Sequence, residues 1–185
     1  MAWVIVVNAQ NNFQAAYYIS NSNDTIYGHI DNRGDTRNCR ICNYRTEADG
    51  EVVQFAPGDI AAYRFIDGKY YISIELEINN EVQAVFIEYL VNGISSLYYY
   101  RGDRSDHYFI ENSDGELMEL TNEVIEYEQD GKLYEKNSNR FIGQLITTFS
   151  DAPEMQAKLE KAQFQHKSLI NLTSEYHDYV CDGEQ

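Results

Sequence analysis

Apolar and polar residues alternate with a period of two along roughly the first two-thirds of the chain, the spacing that sends successive side chains to opposite faces of a β-strand. Residues 15–20 and 25–31 are aromatic and β-branched and bracket Asn21-Ser22-Asn23-Asp24, so they predict a hairpin. Residues 39–45 and 51–55 flank Asp49-Gly50 and predict a second. Ala56-Pro57-Gly58-Asp59 is turn chemistry. Residues 60–66 and 70–78 flank Asp67-Gly68, the strongest two-residue hairpin signal of the chain; 85–91 and 95–101 flank Asn92-Gly93, and 107–111 and 116–121 flank Asp114-Gly115. Up to ten short strands in sequence describe an antiparallel meander, as an open sheet, a sandwich or a small barrel.

The period changes near Arg140. Phe141, Leu145, Ile146 and Phe149 fall on one helical stripe, Met155, Leu159 and Ala162 repeat at helical spacing, and Leu169, Leu172 and Tyr176 mark a last amphipathic helix over residues 167–180. Asp151 is placed to cap the helix that Pro153 opens, with Glu154 reaching back. The acidic, turn-rich stretch 123–139 reads as a loop or as a further exposed hairpin around Gln129-Asp130-Gly131-Lys132. The expected fold class is α+β: a predominantly antiparallel β meander over residues 11–139, then two to three C-terminal helices over 140–182, packed on it or extending from it.

Residues 1–10 stand apart. Ala2 to Val7 is an apolar run, and Val7-Asn8-Ala9 has the small-x-small spacing that signal peptidase reads, leaving Gln10 as the mature start. This is read as the remnant of a secretory signal peptide; the competing reading is an N-terminal β-strand, since Val and Ile are β-branched. Export changes what the cysteines mean. Cys39, Cys42 and Cys181 are an odd number, which does not indicate a closed disulfide framework. Cys39-Arg40-Ile41-Cys42 lacks a second ligand pair for zinc, and within an alternating strand its thiols would face opposite sides.

Fourteen Lys and Arg against thirty Asp and Glu give a net charge of −16 over 185 residues. That excess excludes a nucleic-acid binder, which needs clustered cations for phosphates, and disfavours docking on anionic lipid. No apolar run approaches the roughly 20 residues of a transmembrane helix. The chain has no nucleophile elbow, phosphate loop, zinc-helix or dinucleotide motif, so no catalytic, cofactor-binding or metal-ligating residue is assigned. Calcium is the most suitable ion for so acidic a chain, with Asn21-Ser22-Asn23-Asp24 and Asp103-Arg104-Ser105-Asp106 as loops of suitable oxygens, although turn chemistry accounts for both. Arg101-Gly102-Asp103 reads as a turn rather than an integrin tripeptide. Sixteen tyrosines are concentrated in places: Tyr17-Tyr18, Tyr70-Tyr71 and Tyr98-Tyr99-Tyr100 put rings on both faces of their strands. One face enters the core; the other is either an exposed aromatic strip for a sugar, a peptide or a protein, or a consequence of sheet propensity and cross-strand packing.

Three groups of residues carry a family likeness. Tyr18-Ile19-Ser20-Asn21-Ser22-Asn23-Asp24-Thr25-Ile26-Tyr27-Gly28-His29-Ile30-Asp31 opens it; Phe55-Ala56-Pro57-Gly58-Asp59-Ile60 and the segment from Leu90 to Tyr100 continue it. Phe141-Ile142-Gly143-Gln144-Leu145 through Asp151-Ala152-Pro153, then Lys167-Ser168-Leu169-Ile170 and Tyr176-His177-Asp178-Tyr179-Val180-Cys181, close it. Over residues 15–181 the chain resembles an uncharacterised domain of Bacteroidota cell-envelope proteins, which carry a signal peptide and often a following outer-membrane β-barrel. The resemblance implies a location in the periplasm or cell envelope and brings no known catalytic residues. This chain departs from the pattern where Ala152 stands for a frequent cysteine, and in lacking a second cysteine after Cys181. The expectation is a non-catalytic envelope module that binds a partner protein or glycan, or is accessory to an outer-membrane protein; the alternatives are a carboxylate-dependent hydrolase and a calcium-stabilised structural domain.

Overall fold

A computed structural model describes residues 12–78 and 81–182. The signal-peptide reading of residues 1–10 lies outside the described residues. The chain forms two compact units, Met1–Glu88 and Tyr89–Gln185.

The first unit is built from β1 (Phe13–Ile19), β2 (Thr25–Asp31), a helical turn α1 (Asp35–Asn38), β3 (Cys42–Arg45), β4 (Val53–Phe55), β5 (Ala62–Phe65), β6 (Tyr70–Ile78) and most of β7 (Glu81–Val91). The pairings are antiparallel, in the order β7-β6-β5-β1-β2-β3-β4. Alternation works as expected in β6, where Leu76 and Ile78 are buried and Glu75 and Glu77 exposed. Pairing follows chain order with one break. After β4 the chain turns through Pro57-Gly58 and β5 pairs with β1, Tyr18 opposite Tyr63. Side-chain and main-chain bonds fix this return: the Asn21 amide donates to the Gly58 carbonyl at 2.8 Å and the Gly58 N–H to Ser73 Oγ at 2.6 Å.

Two local expectations are corrected. Residues 39–45 are not one strand. The Cys39 N–H donates to the Asp35 carbonyl, ending α1, and β3 starts only at Cys42. Asn38 drives the turn: its side-chain oxygen accepts the Arg33 N–H at 3.1 Å and its amide donates to Asn32 at 3.0 Å, a local alternative to the strand ladder. The β5–β6 connection is also longer than two residues. Arg64 pairs with Tyr70, and the tight bend is centred on Ile66-Asp67, with Asp67 in the left-handed region (φ 56°).

The second unit contains β8 (Ser96–Arg101), β9 (Asp106–Glu111) and β10 (Leu117–Leu120), paired antiparallel in that order. A separate two-stranded hairpin follows, β11 (Val124–Gln129) with β12 (Lys132–Asn137), then α2 (Arg140–Thr148), a 3₁₀ turn (Pro153–Met155), α3 (Gln156–Leu159) and α4 (His166–Asp182). Leu97, Tyr99, Tyr108, Ile110 and Leu120 form one sheet face, and Phe141, Leu145, Phe149, Met155, Leu159, Leu169, Leu172 and Tyr176 from the helices close over it. Each of these side chains contributes about 1.5–3 kcal/mol through burial. Gly93 permits a close approach of α4: a Cβ there would lie 2.1 Å from the His177 ring, whose Nε2 bonds the Ser95 carbonyl at 2.8 Å. Asp151 does not cap. Ala152 holds the N-cap position without a side-chain bond, and Asp151 instead accepts the Tyr176 hydroxyl at 3.0 Å.

The molecule is therefore α+β and mostly antiparallel sheet with short C-terminal helices. Among the described residues neither unit's strand order closes into a barrel. Among the described residues no helix is long and apolar enough to cross a membrane.

Candidate functional site

The tyrosine strips divide into buried and exposed sets. Tyr98, Tyr99 and Tyr100 are all buried, at 7%, 4% and 4% exposure, so β8 packs its tyrosines rather than offering an open aromatic strip. Tyr99 belongs to the helix-covered face and packs on Tyr108 at 5.3 Å. Tyr98 points to the other face and donates to Glu111 at 2.5 Å. Burial lifts both phenols well above their ordinary pKa, and the carboxylates that accept their hydrogen bonds lift them further. In the first unit Tyr71 is buried and stacked on Tyr63, Tyr18 packs on Tyr44 and Phe55, and the half-buried Tyr17 packs on the exposed Tyr27.

Cys39 and Cys42 are buried at a turn–strand junction, and burial pushes the Cys42 thiol up to about 12; Cys181 is exposed on α4. Neither oxygen-rich loop gathers its carboxylates. Asp24 accepts Ser22 Oγ at 2.8 Å within its own turn, and Asp106 is engaged by Tyr99 and Arg101. Among the described residues no cluster of three metal-ligating side chains occurs.

Two carboxylates do meet in the first unit. Asp35 on α1 and Glu88 on β7 share the Lys69 ammonium at 2.6 and 2.8 Å. Burial raises Glu88 more than Lys69 lowers it, and the Tyr71 hydroxyl donates to Asp35 at 3.3 Å. The ammonium between the carboxylates makes this a clamp joining α1, the β5–β6 loop and β7.

The hairpin β11–β12 is exposed throughout and carries apolar side chains, among them Val124, Ile125 and Leu133. All twelve of its strand residues are exposed. It turns through Asp130-Gly131, both at positive φ (52° and 71°), the conformation that tight two-residue hairpins require. Its base is pinned: Ser138 N–H donates to the Glu123 carbonyl at 2.7 Å, Glu123 N–H to Ser138 Oγ at 3.0 Å, and Asn139 N–H to Asn122 at 3.1 Å. Register sorts the side chains. Ile125, Tyr127, Tyr134, Lys132 and Lys136 share one face, where Tyr127 and Tyr134 stack at 5.6 Å and Lys136 lies 5.3 Å from the Tyr127 ring. Val124, Glu126, Glu128, Leu133 and Glu135 share the other. The sequence left this stretch open between loop and hairpin; the Asp-Gly turn was the signal that decided it.

Sequence reasoning missed a polar chain at the mouth of the β8–β9 loop. Ser105 Oγ lies 2.8 Å from Nε2 of His107, and Nδ1 of the same ring lies 2.7 Å from Glu119 Oε1. His107 is the second residue of β9 and is buried; Glu119 reaches it from β10, two positions along the register, and Ser105 is exposed. Gly102 N–H donates to the Ser105 carbonyl at 3.0 Å and holds the loop. Ser105 and His107 lie two positions apart in the chain, but the third member comes only with the β9–β10 register. Comparison with protein-family models, with curated proteins and with solved structures returns no match.

Proposed function

We propose that this chain is a cell-envelope module, periplasmic or surface-exposed, that receives an extended acidic segment of a partner protein on its projecting hairpin. The observation that carries the reading is the complete exposure of β11 and β12, with Leu133 at 76% and Val124 at 61%. A lone two-stranded hairpin is marginal in water, and one that displays apolar side chains gains by being covered. The outer backbone edges of β11 and β12 pair with no other strand among the described residues, so an extended segment can add there through main-chain hydrogen bonds. Lys132 and Lys136 beside the stacked tyrosines favour acidic side chains, in a chain whose overall charge is −16. The envelope location draws its support from the sequence resemblance and the pattern of residues 1–10.

A photo-crosslinking amino acid at Leu133, compared with one at the equally exposed Val82 (71%), tests this in intact cells. The expected result is one protein adduct specific to position 133, mapping to an acidic extended segment and lost on reversing Lys132 and Lys136 to Glu. Adducts only to glycan, only to a second copy of the chain, or equal at both positions overturn it. Fractionation that finds the protein wholly in the cytosol overturns the location.

A further inference from the structure

We infer that Ser105, His107 and Glu119 form an acyl-transfer site, an activity that goes beyond the docking reading and does not depend on it. The distances set the roles. Glu119 is an acceptor at Nδ1, so the neutral ring carries its proton there and presents the Nε2 lone pair to the Ser105 hydroxyl. That is the protonation pattern in which imidazole acts as general base towards serine, and a carboxylate at Nδ1 stabilises the imidazolium that forms. A hydrogen-bonded serine, imidazole and carboxylate in series is a recurring solution on unrelated folds, recognised by geometry rather than chain order.

The surroundings fit the assignment. His107 is fixed by burial and by its place in β9, while Ser105 is an exposed loop residue beside it. Gly102 keeps space beside the ring: a Cβ there would sit 3.3 Å from Nε2 and 3.2 Å from the Ser105 carbonyl. Glu119 is held from behind, since the Gln144 amide donates to its main-chain carbonyl at 2.8 Å, tying β10 to α2. With the serine on an open loop, the substrate class is a small, activated ester rather than a long or buried chain.

The step balances. Ser105 Oγ attacks the ester carbonyl carbon as its proton passes to His107 Nε2. The tetrahedral adduct then expels the alcohol, which takes that proton from the imidazolium and leaves an acyl-serine. Water, activated by the same ring, breaks the acyl bond and restores the hydroxyl. Glu119 is a positioning residue throughout, setting the tautomer.

A fluorophosphonate, which captures activated serines covalently, tests this on the full chain by intact mass and peptide mapping. One equivalent on Ser105 is expected, and none on Ser105→Ala. Glu119→Gln, checked for an unchanged circular dichroism spectrum, should slow labelling by about 100-fold or more, because the wrong tautomer is then favoured. No adduct, an adduct on a tyrosine instead, or an undiminished rate in folded Glu119→Gln overturns the proposal.

Discussion

Strands β8 and β9 and the hairpin β11–β12 belong to the same unit and are written in similar letters: tyrosine, apolar residues and scattered carboxylates. In β8 and β9, Leu97 to Tyr100 and His107 to Ile110 are buried on both faces. In the hairpin no residue is buried on either face. Period-two patterning is common to both regions, so it assigns the strand and leaves open whether anything covers it. What separates them is the helical segment that follows, which lays Phe141, Leu145, Leu169 and Tyr176 against the face of Leu97, Tyr99, Tyr108 and Ile110. The hairpin has only its pinned base.

The largest effect that would sharpen the contrast comes from hollowing the covered side. Phe141→Ala, in a residue 1% exposed, should cost about 3–5 kcal/mol, read from the midpoint of urea unfolding at unchanged slope. A shift near zero would mean that the helices do not close the core. Gly93→Ala comes next, at about 1–3 kcal/mol, because the His177 ring must move away from the new Cβ. Restored stability in the pair Gly93→Ala with His177→Ala would attribute the loss to that contact.

Alkali separates the regions more gradually. Tyr98, Tyr99 and Tyr176 are raised above the ordinary phenol value, first by burial and then by the carboxylates they donate to, Tyr176 to about 12. The folded state therefore holds these protons more tightly than the unfolded chain. Their contribution is fully present below the unfolded tyrosine pKa of about 10 and is lost as pH rises through the folded values. Tyrosinate absorbance should accordingly grow in step with the loss of near-ultraviolet circular dichroism above that pH. Growth that saturates for all sixteen tyrosines while the fold persists would contradict the burial. The smallest effect is expected in the hairpin: Tyr127→Ser should change global stability by less than about 0.5 kcal/mol. A loss several times larger would show that the hairpin is packed after all.

Ten strands before residue 121 and the helical change of period at Arg140 were legible because both rest on local spacing. Three things were not. The strand beginning at Cys39 yielded to α1 because Asn38 satisfies backbone and side-chain groups of Asn32 and Arg33, a preference that alternation does not encode. The triple tyrosine looked half-exposed because a strand alone cannot report a second covering layer. Asp151 looked like a cap because the sequence could not place the Tyr176 hydroxyl 3.0 Å away. The candidate acyl-transfer site was invisible for a related reason: Ser105 and His107 are neighbours in the chain, but Glu119 joins them only when β9 and β10 take one register among several.

The return from β4 to β5 sets an order of events during synthesis. β1 is an interior strand of its unit, bonded to β2 on one side and β5 on the other. Its first neighbour emerges from the ribosome almost at once, but the second follows only after about thirty further residues have been made. Throughout that interval the nascent chain carries an open edge at Ala16 to Ile19, a template on which another chain can pair. Slowing elongation between Val53 and Ala62 would prolong that window, and faster delivery of β5 would shorten it.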